Sequence, residues 1–234
     1  MKLRSTISIA LATFNGDVFL QEQLDSLASQ VLLPFELVVS DDGSDDQTID
    51  IVLNFSRTSP FPVKLVRNRD RLGYGLNFLN AASMCQGTHV AFCDQDDVWL
   101  PHKIFRLSAA FQKGSFDLVA HSARVVDRHL NWIDANFPDI QVEMSLNEAE
   151  KNTNFFCPGF SLTISKSFLS EVKLYSIALM EKTQFAHDEL ICDLVRDRSC
   201  YLIAEPLALY RQHGNNLIGF HGAMLARADL LKKA

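Results

Sequence analysis

The chain has 234 residues, 47% hydrophobic and 21% charged, with a formal net charge of -6. That length suffices for the buried core of one large α/β domain, and the acidic balance excludes a duplex-coating nucleic-acid binder, which needs a basic stripe. No run approaches the ~20 apolar residues that span a bilayer, and the basic Met1–Thr6 segment precedes an apolar run too short and too strand-like for a signal peptide. The five cysteines (Cys85, Cys93, Cys157, Cys192, Cys200) form no C-x-x-C pair, so thiols in a reducing, cytoplasmic compartment are expected and zinc is not.

Taken in chain order, the first half alternates short apolar runs with helical periodicity. Strands are expected at Ile7–Ala12, Phe35–Ser40, Val63–Val66 and His89–Cys93, with helices at Val18–Gln30, Thr48–Phe55 and Leu76–Cys85 between them. This alternation implies parallel βαβ units with right-handed crossovers, so the fold class is α/β with a Rossmann-like, mostly parallel central sheet flanked by helices. The second half is less regular. Leu118–Ser122, Ser161–Ile164 and Tyr201–Ala204 read as strands and Leu190–Val195 as a helix, while Asn131–Asn152 has no clear period and is expected to be a long excursion near an acceptor site. Ala223–Lys233 sets Met224, Leu225, Leu230 and Leu231 among Arg227, Lys232 and Lys233, an amphipathic basic helix that can rest on anionic headgroups.

Polar clusters end the expected strands: Thr13-Phe14-Asn15-Gly16, Asp41-Asp42-Gly43-Ser44 and Asp94-Gln95-Asp96-Asp97. Strand ends of one parallel sheet converge on a crevice. A nucleotide fits there, since a carboxylate on the second strand can accept a pyrimidine N3–H or a ribose hydroxyl. Three carboxylates in four residues repel one another unless a cation, a proton or hydrogen-bond donors offset the charge, and a hard divalent cation bridging to phosphates is the simplest offset. Each cluster alone also reads as turn or capping chemistry, Asp97 as a cap for the helix after it; three together at neighbouring strand ends favour a ligand site. The P-loop pattern is absent, and Gly73-Tyr74-Gly75 carries Phe78 where a dinucleotide fingerprint needs its third glycine.

Ala12–Gly16, Glu36–Asp46, Asn68 with Gly73–Asn77, Asp94–Trp99, His187-Asp188 and Tyr210–Asn216 together resemble, in order and over nearly the whole chain, an inverting GT-A glycosyltransferase of the large family that includes bacterial polysaccharide synthases. The wording of Asp94–Trp99 and Tyr210–Asn216 is similar to the bacterial rhamnosyltransferases of that family. The resemblance implies a donor half over residues 1–100, an acceptor half over 101–234, and a dTDP-rhamnose donor, with UDP-sugars as the alternative. It implies nucleotide contacts from Thr13, Asn15, Asp41, Asp42, Asn68, Gly73 and Asp94, and a divalent cation, Mn2+ or Mg2+, held by Asp96 and His213. An imidazole suits Mn2+ better than Mg2+. Asp188 matches the general base. As an N-cap it is expected to have its pKa lowered by the helix dipole, with Glu189 as the fallback base. Trp99 leans towards the acceptor. That acceptor is expected to be a saccharide, free or lipid-linked, which the basic C-terminal helix would meet at the inner face of the plasma membrane. The rival readings are a sugar-nucleotide-binding subunit without turnover and a metal-dependent phosphohydrolase.

Overall fold

The computed structural model describes residues 5–146, 156–180, 186–214 and 216. The first hundred residues follow the expected alternation closely: β1 (Ile7–Thr13), α1 (Asp17–Ala28), β2 (Glu36–Asp41), α2 (Thr48–Thr58), β3 (Val63–Arg67), α3 (Tyr74–Met84) and β4 (His89–Cys93). After it come β5 (Val98–Trp99), α4 (Lys103–Lys113), β6 (Leu118–Val126), β7 (Trp132–Asn136), β8 (Met144–Leu146), a 3-10 turn (Gly159–Ser161), β9 (Leu162–Ser165), α5 (Lys166–Met180), α6 (His187–Leu194) and β10 (Cys200–Arg211).

One sheet of ten strands runs in the order β3-β2-β1-β4-β9-β6-β10-β5, with β7 on β6 and β8 on β10. The first four strands are parallel, β9 is antiparallel to both β4 and β6, and β10 is again parallel to β6. The chain leaves β1 towards β2 and β3, then returns on the other side of β1 as β4. Strand order therefore reverses between β1 and β4, and the carboxyl ends of those two strands frame the crevice where such folds bind ligands.

Helices on both faces explain why β1 and β2 are buried almost without interruption. Alternate residues feed two cores. Ile9, Leu11, Leu37 and Val39 pack with Leu20, Leu24, Val52 and Leu107 on one face, while Ala10, Val38, Val90 and Phe92 pack with Phe78, Leu79, Phe168 and Ile191 on the other. All five cysteines are buried thiols within these layers.

The structure differs from the sequence reading mainly after residue 94. Asp97 caps no helix: β5 follows it, and its Oδ1 accepts the backbone N–H of Arg211 at 3.0 Å. β10 runs on to Arg211 rather than stopping at Ala204, because register shifts around Pro206 absorb the proline that reads as a strand end. The excursion from Asn131 contains β7 and β8, while residues 147–155, with Phe155 among them, and the expected basic helix Ala223–Lys233 lie outside the described residues. Among the described residues no helix is long and apolar enough to cross a membrane.

Burial holds the His187 imidazole down to about 3 and that of His89 to about 4. Both are neutral when folded and protonate only when unfolded near 6.5, so the unfolded state binds more protons as pH falls. Between pH 6.5 and 4, stability is expected to drop by roughly 1.4 kcal/mol per pH unit for His187, with His89 adding in the same direction. Urea midpoints across that range test the slope, and a flat profile would refute it.

Candidate active site

The end of β2 supplies two aspartates with different tasks. Asp41 is fully buried; its Oδ2 accepts from Thr13 Oγ1 at 2.8 Å and Ser44 Oγ at 2.5 Å, its Oδ1 from the N–H groups of Gly43 and Ser44 at 3.1 and 2.9 Å. Four donors occupy the carboxylate, and Asp41 is not among the residues lining the cavity. Its carboxylate holds the loop after β2. Asp42 does line the cavity, with Oδ1 held by Asn68 Nδ2 at 3.1 Å and Leu72 N–H at 2.7 Å and Oδ2 by Gly73 N–H at 2.9 Å. Gly73 sits at φ 78°, a region that favours glycine, and this lets its N–H turn back onto Asp42. Thr13 and Gly73 line the cavity; Asn15 and Asn68 do not. Asn15, at φ 46°, accepts Asp45 N–H at 3.0 Å and shapes the turn after β1, while Asn68 links Asp42 to Asn77 and Asn80.

The loop after β4 brings the acids together. Asp94 is pushed up to about 8, first by burial and then by the charges of Asp96 and Asp188. Asp97 is raised too, by burial and then by Asp96 and Asp94, and its Oδ2 has no hydrogen-bond partner among the described residues. Asp96 lines the cavity as Asp94 does, its side chain 21% exposed and its Oδ2 2.8 Å from Nε2 of His213. Arg211 braces both sides of this contact. Its Nε donates to the Asp96 carbonyl at 2.8 Å, its Nη1 to the Arg128 carbonyl at 2.8 Å, and its Nη2 pairs with Glu22. Its guanidinium lies 4.4 Å from the ring centroid of Phe19, which packs on His213 at 4.8 Å.

Among the described residues no group of three or more His, Cys, Asp or Glu side chains forms a metal cage. The donor set nevertheless fits a hard cation that takes part of its shell from phosphates. Asp96 lines the cavity and meets His213, which does not line it; Asp94 lines it too, and the buried Asp97 leaves one oxygen without a donor among the described residues.

Asp188 also lines the cavity and lies in the first turn of α6, where Ala186, not Asp188, holds the cap position. Its Oδ2 accepts Gly159 N–H at 3.2 Å and its Oδ1 accepts Glu189 N–H at 3.0 Å. The expected dipole-lowered pKa is not found: burial outweighs the backbone N–H donors of Glu189, Gly159 and Asp188 itself and raises the carboxyl. A raised base binds a proton more strongly, which helps an acceptor hydroxyl lose its own. Glu189 is exposed and outside the cavity lining. Trp99 is 2% exposed and also outside it, packed in the core with the buried Lys103 ammonium 3.6 Å from its ring centroid. His187, by contrast, lines the cavity, stacked on Phe78 at 4.1 Å.

These walls enclose about 490 Å³, within the range of small-molecule sites. Several lining residues carried no role of their own in the sequence reading: Phe14, Gln95, Tyr74, Phe137 and Tyr210. Arg71, also in the lining, stacks its guanidinium 3.7 Å from the Phe14 ring centroid. The aromatic residues gave no sequence signal separating a cavity wall from core. Gln95 had one, its place inside the acid cluster.

Comparison with known proteins agrees with this geometry. The model of "Glycosyl transferase family 2" matches residues 8–172. A dTDP-rhamnosyl transferase, RfbG of Shigella flexneri, is 29% identical over 224 residues, covering 89% of this chain and 73% of that protein. The glucosyltransferase WfgD of Escherichia coli, named for UDP-Glc and a diphosphoundecaprenol-linked GlcNAc, is 26% identical over 126 residues, 51% of this chain and 49% of its own. Among solved structures, residues 1–349 of TarS from S. aureus superpose with a TM-score of 0.74 at 20% identity, over 88% of this chain. The same TarS region in complex with UDP-GlcNAc gives 0.73. The chain spans 60% of the length of those TarS structures. It belongs to Glycosyl transferase family 2 and has the GT-A fold.

Proposed function

We propose that this chain is an inverting glycosyltransferase that moves a sugar from a nucleoside diphosphate donor to a saccharide hydroxyl. The observation carrying the reading is that Asp94, Asp96 and the buried Asp188 line one cavity, with His213 in contact with Asp96 and Asp188 close enough for its charge to raise Asp94. The nucleotide would lie along Thr13, Phe14, Asp42 and Gly73, with residues 1–100 forming the donor half. The acceptor would enter over residues 101–234.

In the step proposed, the acceptor oxygen bonds to the anomeric carbon from the face opposite the leaving group. The bond from that carbon to the diphosphate oxygen breaks, the electron pair departs with the diphosphate, and the hydroxyl proton passes to Asp188. Asp96 and His213 would hold a divalent cation, Mn2+ or Mg2+, which supplies Lewis-acid stabilisation of the leaving diphosphate when bound. Gly159 N–H and Glu189 N–H fix the orientation of the base. Arg211 fixes the Asp96 backbone.

The relation to RfbG supports dTDP-rhamnose as donor, while WfgD and the UDP-GlcNAc complex of TarS support a UDP-sugar as the second reading. A lipid-linked saccharide is the acceptor class we favour, presented at the inner face of the membrane. The test is the thermal midpoint with dTDP, UDP, GDP, CDP or ADP, each with Mn2+ or chelator. A ligand at one hundred times its Kd stabilises by about 2.7 kcal/mol. Cation-dependent stabilisation by dTDP above UDP is expected; a UDP preference moves the donor to the second reading, and no response to any nucleotide overturns the donor site.

A further inference from the structure

Gln95 stands between two acids, yet its side chain faces away from them, across the turn that follows β1. Its Oε1 accepts Phe14 N–H at 3.0 Å and its Nε2 donates to the Phe14 carbonyl at 3.1 Å. This reciprocal pair is what a neighbouring strand would offer, at a point where β1 has already ended. The residues paired are 81 apart in sequence, and both line the cavity. Phe14 in turn carries the Arg71 guanidinium on its ring. One amide thus ties the Phe14–Arg71 wall to the loop bearing Asp94 and Asp96.

Gly16 fits the same arrangement. A Cβ built there would meet Gln95 Oε1 at 2.3 Å and Cδ at 2.5 Å, closer than real Cβ contacts come. Gly16 has φ -108° and ψ 12°, which alanine adopts without strain. Its glycine is explained by the space the Gln95 amide occupies, not by backbone conformation.

We infer that Gln95 is a positioning residue, a latch that seats in the hollow left by Gly16 and holds the Phe14–Arg71 wall in register with the acid loop for the donor nucleotide. The latch rests on the donor-site reading above. It acts on the bound nucleotide rather than on proton transfer, so its loss belongs in donor affinity and KM more than in kcat.

The experiment is a double-mutant cycle read by titration of UDP and dTDP with Mn2+, alongside donor KM and kcat. Gln95→Ala removes both hydrogen bonds and is expected to raise the nucleotide Kd roughly tenfold, with a smaller change in kcat. Gly16→Ala leaves Gln95 in place but expels its amide, and is expected to raise Kd by a similar factor. In the combined variant the shortened side chain leaves room for the new methyl, so Kd should match that of Gln95→Ala alone instead of multiplying. Twofold or smaller changes in Kd for the single variants, or a combined variant as weak as the product of the two, overturn the latch. So does a lowered thermal midpoint with unaltered Kd, which marks a purely structural contact. Wild-type protein that binds neither nucleotide overturns the donor reading and the latch together. Wild-type binding with unaltered variants overturns the latch alone.

Discussion

Asp188→Asn is expected to lower kcat by about 10³-fold, in the range that a positioned general base contributes, while leaving nucleotide binding close to wild type. The amide keeps the size of the carboxylate and an oxygen that can accept Gly159 N–H, so the segment from Pro158 to Phe160 should hold its place. What disappears is the proton acceptor. The wild-type acid limb provides a second signature. Burial raises the Asp188 carboxyl above 3.8, so kcat should fall as pH drops, with a midpoint above the ordinary aspartate range. The variant's residual rate should lose that limb. Retained transfer in Asp188→Asn would exclude the residue as base and turn attention to Glu189, the exposed neighbour. Glycosyl transfer would then have to proceed without a buried carboxylate on that wall.

Asp96→Ala is expected to reduce kcat/KM by a hundredfold or more and to abolish the dependence of nucleotide binding on the cation. A metal stabilising a leaving diphosphate supplies several kcal/mol, and each 1.4 kcal/mol is a factor of about ten. The mutation also frees Nε2 of His213 from its 2.8 Å partner. His213→Ala should therefore show a milder form of the same defect, since Asp96 remains. Midpoint shifts with UDP or dTDP, measured with Mn2+ and with chelator, separate these outcomes. Binding that stays cation-dependent in Asp96→Ala would move the ligand role to another side chain.

The first hundred residues were legible because β1, β2 and β4 are buried on both faces and the turns announce themselves. β1, β2 and β4 read as apolar runs, and Asp42-Gly43-Ser44 and Asn15-Gly16 mark where they stop. The rest of the chain was harder for identifiable reasons. β10 crosses a proline through register shifts, and β5 has only two residues, too short for any period. The helix α4 was readable in principle from Ile104, Leu107, Ala110 and Phe111, which all face the core. Roles inside the site were legible by residue type but not by task. Asp41 and Asp42 are adjacent and identical in chemistry, yet one is consumed by its own loop while the other faces the cavity. Nor does sequence reveal that burial overrides the helix dipole at Asp188, because burial there depends on the turn at Gly159, twenty-nine residues away.

The reversed strand β9 has a consequence for how such a protein can diversify. Because it runs against β4, with Thr163 opposite Ala91 and Ser165 opposite His89, its leading end lies beside the trailing end of β4. The chain therefore passes Pro158, Gly159 and Phe160 along the cavity on its way into the sheet, whereas parallel neighbours reach the cavity on their way out. Insertions or exchanges ahead of Pro158 would remodel what the cavity admits without altering a rung of the β1–β2–β4 ladder. Under the proposed function, exchanges at Pro158–Phe160 would retune the acceptor while leaving the strands that frame the nucleotide site in place, and grafting that segment between relatives would test it.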